Sequence, residues 1–252
     1  MLVREAAREG GAIAMRHFRK DPETWLKNGQ SPVSAADIAV DDFLRRTLRA
    51  ARPDYGWLSE ETADGPERLS ARRTFVVDPI DGTRAFIDGK RTWCVSIAVV
   101  EDGKPLVGVL DCPARDEVYE AALGVPATLN GATITVSPAR SSARVAGPKQ
   151  ILDLAPAYMR SGPAVPYIPS LAYRIAMVAS GALDATFVKP NSHDWDLAAA
   201  DLILRRAGGA LLDTNGAPPA YAAGSNTRHG ALAAGSGALL RDRADVISRM
   251  QP

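Results

Sequence analysis

The chain has 252 residues, and its 30 basic and 29 acidic side chains leave a formal net charge of +1. This near-balance, without an interleaved stripe of basic and aromatic residues, disfavours a nucleic-acid-binding protein that relies on a positive field. With 46% hydrophobic and 23% charged residues, the composition is that of a globular protein with a sizeable core rather than that of a disordered one.

The cysteine content and the N-terminus indicate the cellular compartment. Cys94 and Cys112 are too few for a disulfide framework and belong to no CxxC pair, so both are predicted to be buried, small apolar side chains. Residues 1–20 alternate charged residues with alanine and lack the apolar stretch of a signal peptide. No window approaches the uninterrupted apolar length of a membrane span. We therefore expect a cytoplasmic protein without a membrane or nucleic-acid partner.

Helical periodicity predicts two helices near the N-terminus, at Leu2–Phe18 and roughly at Ala35–Ala51. Gly10 and Gly11 weaken the first prediction, because a glycine costs about 1 kcal/mol in a helix. Between the two helices, residues 27–32 predict a turn or a mobile loop.

The next part of the chain is rich in short β-type runs that predict a sheet. The strand at 73–77 is expected to end at Asp78-Pro79, because proline cannot donate to a strand ladder. Residues Glu101–Lys104 predict a hairpin with a four-residue loop. The predicted strands are a turn-and-strand segment at 54–59 and runs at 73–77, 93–100, 106–111, 118–122 and 133–136.

A segment of serine, proline and small residues at 137–148 predicts the boundary between two halves, residues 1–137 and 138–252, packed as one compact unit. Beyond this boundary, helices and strands alternate. The predicted helices cover 171–180, 197–207 and 239–250, and the predicted strands cover 185–188, 210–213 and 231–234.

The segment from Val77 to Thr83 carries the strongest chemical signal. A buried strand delivers Asp78 and Asp81, three residues apart and separated by a proline that forces a tight turn. Both carboxylates and an intervening carbonyl could face one point, as hard cations require. Gly82 permits a close approach of the backbone to a ligand, and Thr83 adds a hydroxyl. An Asx-type turn without a ligand is the alternative interpretation.

Two further acidic segments are less specific when each is taken alone. Glu60 and Glu61 follow an apolar strand and are typical of a solvated surface pair. Asp194 or Asp196 could cap the helix that follows. Asp196 could equally be a metal ligand beside a helix N-terminus, which also attracts an anion. His193 is typical of a hydrogen-bonded or exposed histidine near a site.

Together these segments resemble the inositol monophosphatase family of metal-dependent, lithium-sensitive phosphomonoesterases. Residues 78–83 match its DPIDGT signature, and residues 60–62 look like its GEES/T element, with Ser59 where glycine is usual. Residues 195–199 look like its WDxAA element, and Asp37 stands where the family has an early TxxD aspartate. The resemblance extends, in the right order, over nearly the whole chain.

This resemblance implies an α/β fold, a layered αβαβα sandwich of the sugar-phosphatase type, with the active site between the halves. It implies Mg²⁺-dependent hydrolysis of a small phosphate monoester, and a homodimer. Thr83, with Asp37 or Glu60, would orient and activate the attacking water, and the backbone of Gly82 and Thr83 would contact the phosphate. The implied ligands of two or three Mg²⁺ ions are Glu60, Asp78, the carbonyl of Ile80, Asp81 and Asp196. The implied substrate-binding residues are Asp81, Gly82, Thr83, Lys189 and Asp196.

The chemistry of the implied site agrees with these roles. Converging carboxylates repel one another strongly, so the cluster itself predicts a cation. A ligand set made only of oxygen favours Mg²⁺ over Zn²⁺.

The identity of the substrate is left open by two residue patterns. Lys189 stands seven positions before Asp196, where eukaryotic inositol phosphatases carry an acidic sugar-binding residue, and a lysine cannot accept hydroxyl hydrogen bonds. A lysine would suit a second anionic group. Residues 82–87, GTRAFI, resemble histidinol-phosphate phosphatases rather than the GTKEF of bisphosphate nucleotidases.

Inositol 1-phosphate is therefore the nominal substrate, with 3′-phosphoadenosine 5′-phosphate and histidinol phosphate as alternatives. A non-catalytic phosphometabolite-binding regulator is an alternative of another class. It is disfavoured because the implied metal ligands and the threonine that would orient the water are all present, namely Glu60, Asp78, Asp81, Asp196 and Thr83.

Overall fold

Two amphipathic helices and a small hairpin form the start of the chain. A computed structural model describes residues 2–27, 31–138, 142–153, 162–225 and 227–236. The apolar residues of each helix lie along one side, and this side is buried. The elements are α1 (Leu2–His17), β1 (Thr24–Lys27), β2 (Ser31–Ser34) and α2 (Ala35–Ala51), with β1 and β2 antiparallel.

A seven-stranded sheet follows, with its strands in sequence order. Its first two strands are parallel, and all later neighbours are antiparallel. The strands are β3 (Gly56–Ser59), β4 (Arg73–Asp81), β5 (Cys94–Glu101), β6 (Lys104–Cys112), β7 (Glu117–Ala122), β8 (Thr128–Leu129) and β9 (Ala132–Thr133). A short helix, α3 (Thr83–Ile87), joins β4 to β5.

In its described residues, the rest of the chain adds three helices and a smaller sheet. Its four strands have the order β10-β11-β15-β13, and a separate short pair joins β12 to β14. The strands are β10 (Val145–Ala146), β11 (Ala185–Val188), β12 (Ser192–His193), β13 (Gly209–Leu212), β14 (Arg228–His229) and β15 (Leu232–Ser236). The helices are α4 (Lys149–Leu152), α5 (Leu171–Ala179) and α6 (Asp194–Arg206).

Alternating side chains of the strands divide the core into layers. On β5, Val95, Ile97 and Val99 pack with α1 and α2, whereas Cys94, Ala98 and Val100 pack with α5 and α6. Successive residues of a strand point to opposite faces, so the large sheet lies between these two helix pairs. The smaller sheet covers the other side of α5 and α6, and α4 packs on its outer face. This order confirms the predicted layered α/β sandwich.

Several predicted boundaries are wrong for identifiable reasons. The β5–β6 hairpin pairs Glu101 with Lys104, so its loop has two residues rather than four. Both loop residues, Asp102 and Gly103, have positive φ angles of 49° and 75°, as a tight two-residue hairpin turn requires. Strand β4 does not end at Val77. It continues to Asp81, because its register with β5 shifts between Asp78 and Asp81, around the proline that cannot donate.

Other differences lie in segments that connect elements. In the segment predicted as a loop at 27–32, Lys27 ends β1 and Ser31 and Pro32 begin β2, whereas residues 28–30 lie outside the described ranges. The strand predicted at 133–136 is shorter, since β9 comprises Ala132–Thr133. Helix α6 begins three residues earlier than predicted, at Asp194. The helix predicted at 239–250 lies outside the described residues. In the part of the chain that the structure covers, no helix is long and apolar enough to cross a membrane.

The glycines predicted to weaken α1 lie inside it, and one has a steric role. A Cβ atom on Gly11 would lie 1.9 Å from Oδ2 of Asp111 on β6. The helix therefore packs its bare backbone against a carboxylate that is 4% exposed. Glycine lowers the stability of the helix, but because it has no Cβ atom it allows this close packing.

Candidate active site

The end of strand β4 delivers two buried carboxylates to one place. Asp78 and Asp81 are 1% and 5% exposed, on either side of the register shift with β5. Oδ1 of Asp78 accepts a hydrogen bond from the backbone N–H of Ile80 at 3.0 Å. This bond closes a tight turn within the strand, so the Asx-type turn weighed from the sequence is present beside the second carboxylate.

The first turn of α6 adds a third carboxylate, from the other half of the chain. Oxygens of Asp78, Asp81 and Asp196 lie within 4.8 Å of one another. Oδ2 of Asp196 also accepts a hydrogen bond from the N–H of His193 at 2.7 Å. Asp196 thus caps its helix and contributes to the cluster, so the two interpretations drawn from the sequence are compatible.

The electrostatics of this carboxylate cluster favour a cation. Burial raises the pKa of Asp78 well above its ordinary range, and the charges of Glu60, Asp81 and Asp196 raise it further. Burial, followed by the charge of Asp81, raises the pKa of Asp196 to about 7. A divalent cation would offset both effects, and three carboxylates are hard ligands that suit Mg²⁺. The donor set therefore fits the metal that the sequence predicts.

Glu60 lies beside this cluster but is not one of the three closely spaced carboxylates. It follows β3 and donates its backbone N–H to the Val77 carbonyl at 3.3 Å. It is half-buried, and its pKa is raised well above the ordinary range by burial first and then by Asp196. The Nζ of Lys27 contacts the Glu60 carbonyl and lies 3.3 Å from Oε2 of Glu61. The pair is therefore not the freely solvated one that the residues alone suggest.

Asp37 and Thr83 meet at a second point of the site. Thr83 Oγ1 lies 3.1 Å from Asp37 Oδ1 and 3.1 Å from the Ile80 carbonyl, so its single proton can go to either acceptor. Asp37 lies in the first turn of α2, where the N–H and Oγ of Ser34 donate to its Oδ2 at 2.8 and 2.6 Å. Burial raises the pKa of Asp37 to about 6, although the hydrogen bonds from Ser34 lower it.

The remaining predicted residues lie around the carboxylate cluster. Lys189 follows β11 with an exposed side chain, and its charge lowers the pKa of Asp196. His193 is half-buried and stacks on Trp195, with ring centroids 4.3 Å apart and planes 6° from parallel. Its Nδ1 lies 3.3 Å from Thr227 Oγ1.

Gly82 has a φ of +93°, the left-handed conformation that favours glycine. A Cβ atom there would lie 2.8 Å from Cβ of Ser170. The absence of a side chain at Gly82 thus makes room for Ser170, and the approach of a ligand to the Gly82 backbone stays a prediction.

Sequence reasoning missed Ser170, Ser34 and Lys27. Ser170 precedes the apolar run of α5 and is recognisable as a helix cap, and its side chain does accept from Tyr173 N. Ser170 Oγ also donates a hydrogen bond to Oδ2 of Asp81. This contact depends on tertiary packing, so the local pattern does not reveal it. Lys27 stands in a segment whose composition predicts only a loop.

Comparison with known proteins places the chain in a family. The model of the inositol monophosphatase family matches residues 2–244. A Nus factor SuhB of Xylella fastidiosa is 34% identical over 236 residues, which cover 86% of this chain and 82% of that protein. A histidinol-phosphatase of Mycobacterium tuberculosis is 34% identical over 87% of this chain and 85% of its own length. The crystal structure of the extragenic suppressor protein suhB from Bartonella henselae has a TM-score of 0.85 at 26% identity, covering 98% of this chain and 97% of its own. The chain belongs to the inositol monophosphatase family, a family of phosphoric monoester hydrolases.

Proposed function

We propose that this chain is an Mg²⁺-dependent phosphomonoesterase that hydrolyses a small phosphorylated metabolite. The observation that carries the proposal is the convergence of Asp78, Asp81 and Asp196 within 4.8 Å. These carboxylates, with the Ile80 carbonyl and Glu60, would hold two or three ions. Bound there, Mg²⁺ supplies positive charge for the phosphate and lowers the pKa of water.

The chain's own residues would then orient the reactants. Thr83 Oγ1 can accept a hydrogen bond from a water when it donates its own proton to Asp37, 3.1 Å away. Asp37, whose pKa of about 6 lies near neutrality, is suited to take up a proton. Glu60 could take this role from the other side of the cluster. The backbone of Gly82 and Thr83 would bind the phosphate.

We take inositol 1-phosphate as the first substrate to test. A second candidate is a substrate with another anionic group, such as 3′-phosphoadenosine 5′-phosphate, because the side chain near Asp196 is the exposed Lys189 rather than a carboxylate. The relative named histidinol-phosphatase supports including histidinol phosphate. We propose that the small phosphorylated substrate is the partner of this chain and that the protein is cytoplasmic. We also propose that it is a homodimer, which size-exclusion chromatography with light scattering can test.

The decisive experiment measures phosphate release from the purified chain with Mg²⁺ across these three substrates and fructose 1,6-bisphosphate. We expect kcat/KM for one substrate to exceed the others clearly. Lys189→Glu should lower kcat/KM for the bisphosphate and raise it for inositol 1-phosphate, whereas Lys189→Gln should change them less. Equal effects of both variants on every substrate would exclude a charge contact with the substrate. No release from any monoester would overturn the proposed function.

A further inference from the structure

Helix α5 of the second half begins directly on a carboxylate of the first half. Oδ2 of Asp81 accepts hydrogen bonds from Ser170 Oγ and from the backbone N–H of Ala172, the latter at 2.7 Å. Oδ1 of Asp81 accepts from the backbone N–H of Leu171 at 3.2 Å. A side chain that belongs to β4 thus binds the free N–H groups of α5, where the helix dipole also favours negative charge.

The direction of the Ser170 hydroxyl proton follows from its other contact. Ser170 caps α5, and its Oγ accepts from the backbone N–H of Tyr173 at 3.1 Å. With that lone pair occupied, the single hydroxyl proton is donated to Asp81. Ser170 is fully buried, and the Cys94 thiol lies 3.8 Å from its Oγ and 3.9 Å from Asp81 Oδ2. Protein atoms therefore surround this side of the carboxylate.

Counting acceptor positions shows what remains for a cation. A carboxylate oxygen offers about two lone-pair directions. On Oδ2 of Asp81 both are used, by Ser170 Oγ and Ala172 N, and the Cys94 thiol is a third and longer contact. Among the described residues, Oδ1 has one contact, from Leu171 N, which leaves one of its two directions open. We propose that Ser170 is a positioning residue: it fixes Asp81 so that only Oδ1 is available to the metal site. This inference rests on the proposed function insofar as it takes Asp81 to be a metal ligand.

Two further features hold α5 in this position. Gly82 makes room for Ser170, since a Cβ on Gly82 would lie 2.8 Å from that of Ser170. The buried Arg174 of α5 donates to Thr186 Oγ1 at 2.7 Å and to the carbonyls of Ile168 and Phe187, both at 3.1 Å. This arginine ties the helix to β11 and to the segment that precedes the helix. The contact between Ser170 and Asp81 therefore lies in a closely packed and hydrogen-bonded part of the fold.

The test measures metal binding by the full chain without substrate, using Mn²⁺ alone as the probe and calorimetry or electron paramagnetic resonance as the readout. Ser170→Ala should weaken Mn²⁺ binding about 10- to 100-fold, the usual effect of losing a residue that orients a metal ligand. The matched control is Ser180→Ala, at the other end of the same helix, whose hydroxyl bonds the Met177 carbonyl. It should bind Mn²⁺ as the unsubstituted chain does.

A second measurement separates positioning from simple loss of stability. We expect the rise in Tm caused by Mn²⁺ to shrink in Ser170→Ala, whereas a purely structural role would lower Tm equally with Mn²⁺ and with EDTA. If the alanine variant does not fold, Ser170→Gly also removes the hydroxyl, and glycine is a much better helix cap than alanine.

Three outcomes are distinct. Unchanged Mn²⁺ affinity in a folded Ser170 variant would overturn the positioning role. A parent chain that binds Mn²⁺ but releases no phosphate would overturn the proposed function alone, and the Ser170 comparison would still decide its own question. A parent chain that binds no Mn²⁺ would overturn both.

Discussion

The carboxylate of Asp111 under helix α1 should make the stability of this protein depend on pH. Asp111 is 4% exposed, and burial raises its pKa from 3.8 to about 7, although the charge of Arg8 acts in the opposite direction. Because the folded state favours the protonated form, folding carries no penalty from this group below about pH 4. The penalty grows as pH rises from about 4 to about 7 and is constant above that range.

The size of the effect follows from the two pKa values. At 1.36 kcal/mol per pH unit, the full penalty is at most about 4 kcal/mol, and about 2 to 3 kcal/mol of it arises between pH 5 and pH 8. The substitution Asp111→Asn removes the titration but keeps the shape. Relative to the parent chain, the variant should therefore gain about 2 to 3 kcal/mol of unfolding free energy between pH 5 and pH 8.

Urea unfolding in EDTA at a series of pH values measures this difference directly. Asp42→Asn makes the same chemical change at an exposed position of α2 and is the matched control. A difference between Asp111→Asn and the parent chain that stays flat from pH 5 to pH 8 would refute the reasoning. It would mean that the carboxylate is solvated or paired in the folded protein.

The other predictions concern packing and metal dependence. Gly11→Ala should lower the Tm measured by thermal denaturation, because the new Cβ would lie 1.9 Å from Asp111 Oδ2. This clash should outweigh the helix preference of alanine over glycine, which is about 1 kcal/mol. An increase in Tm would show that α1 shifts at little cost. Asp81→Asn should reduce phosphate release by several orders of magnitude while the far-ultraviolet circular dichroism stays unchanged, and turnover near that of the parent chain would rule out Asp81 as a metal ligand. Excess EDTA should abolish phosphate release, Mg²⁺ should restore it, and millimolar lithium should lower it; full turnover in EDTA would exclude a metal-dependent reaction.

The elements that the sequence predicted well are those with a long periodic signal. Helices α1 and α2 and strands β5 and β6 have apolar residues at the spacing of their structure, so their existence and type follow from local patterning. The register between two paired strands depends on the residues of both strands, so the local pattern of one strand does not determine it. The Asp102-Gly103 pair is a recognised two-residue hairpin signal, but its flanking residues looked like part of the turn.

The candidate site was predictable to the extent that its residues stand in short, ordered motifs. Asp78, Asp81 and Asp196 were identified from such motifs, and the fold brings them together. Ser170 could not be assigned to the same place, because nothing local to α5 indicates that its N-terminus meets the end of β4. Glu60 illustrates the opposite limit. Its motif places it near the cluster, but whether its carboxylate lies beside the other three depends on side-chain packing.

The assembly of the carboxylate cluster from both halves has a consequence for the order of folding. Asp78 and Asp81 come into position with β4, whereas Asp196 arrives with α6, far along the chain, so this contact requires a large loop to close. Closing it brings like charges together in a buried place, which opposes the closure of this loop unless protons or cations are available. Refolding above neutral pH should therefore be slower in EDTA than in Mg²⁺. The ion expected to serve the reaction would thus also speed the chain's own maturation.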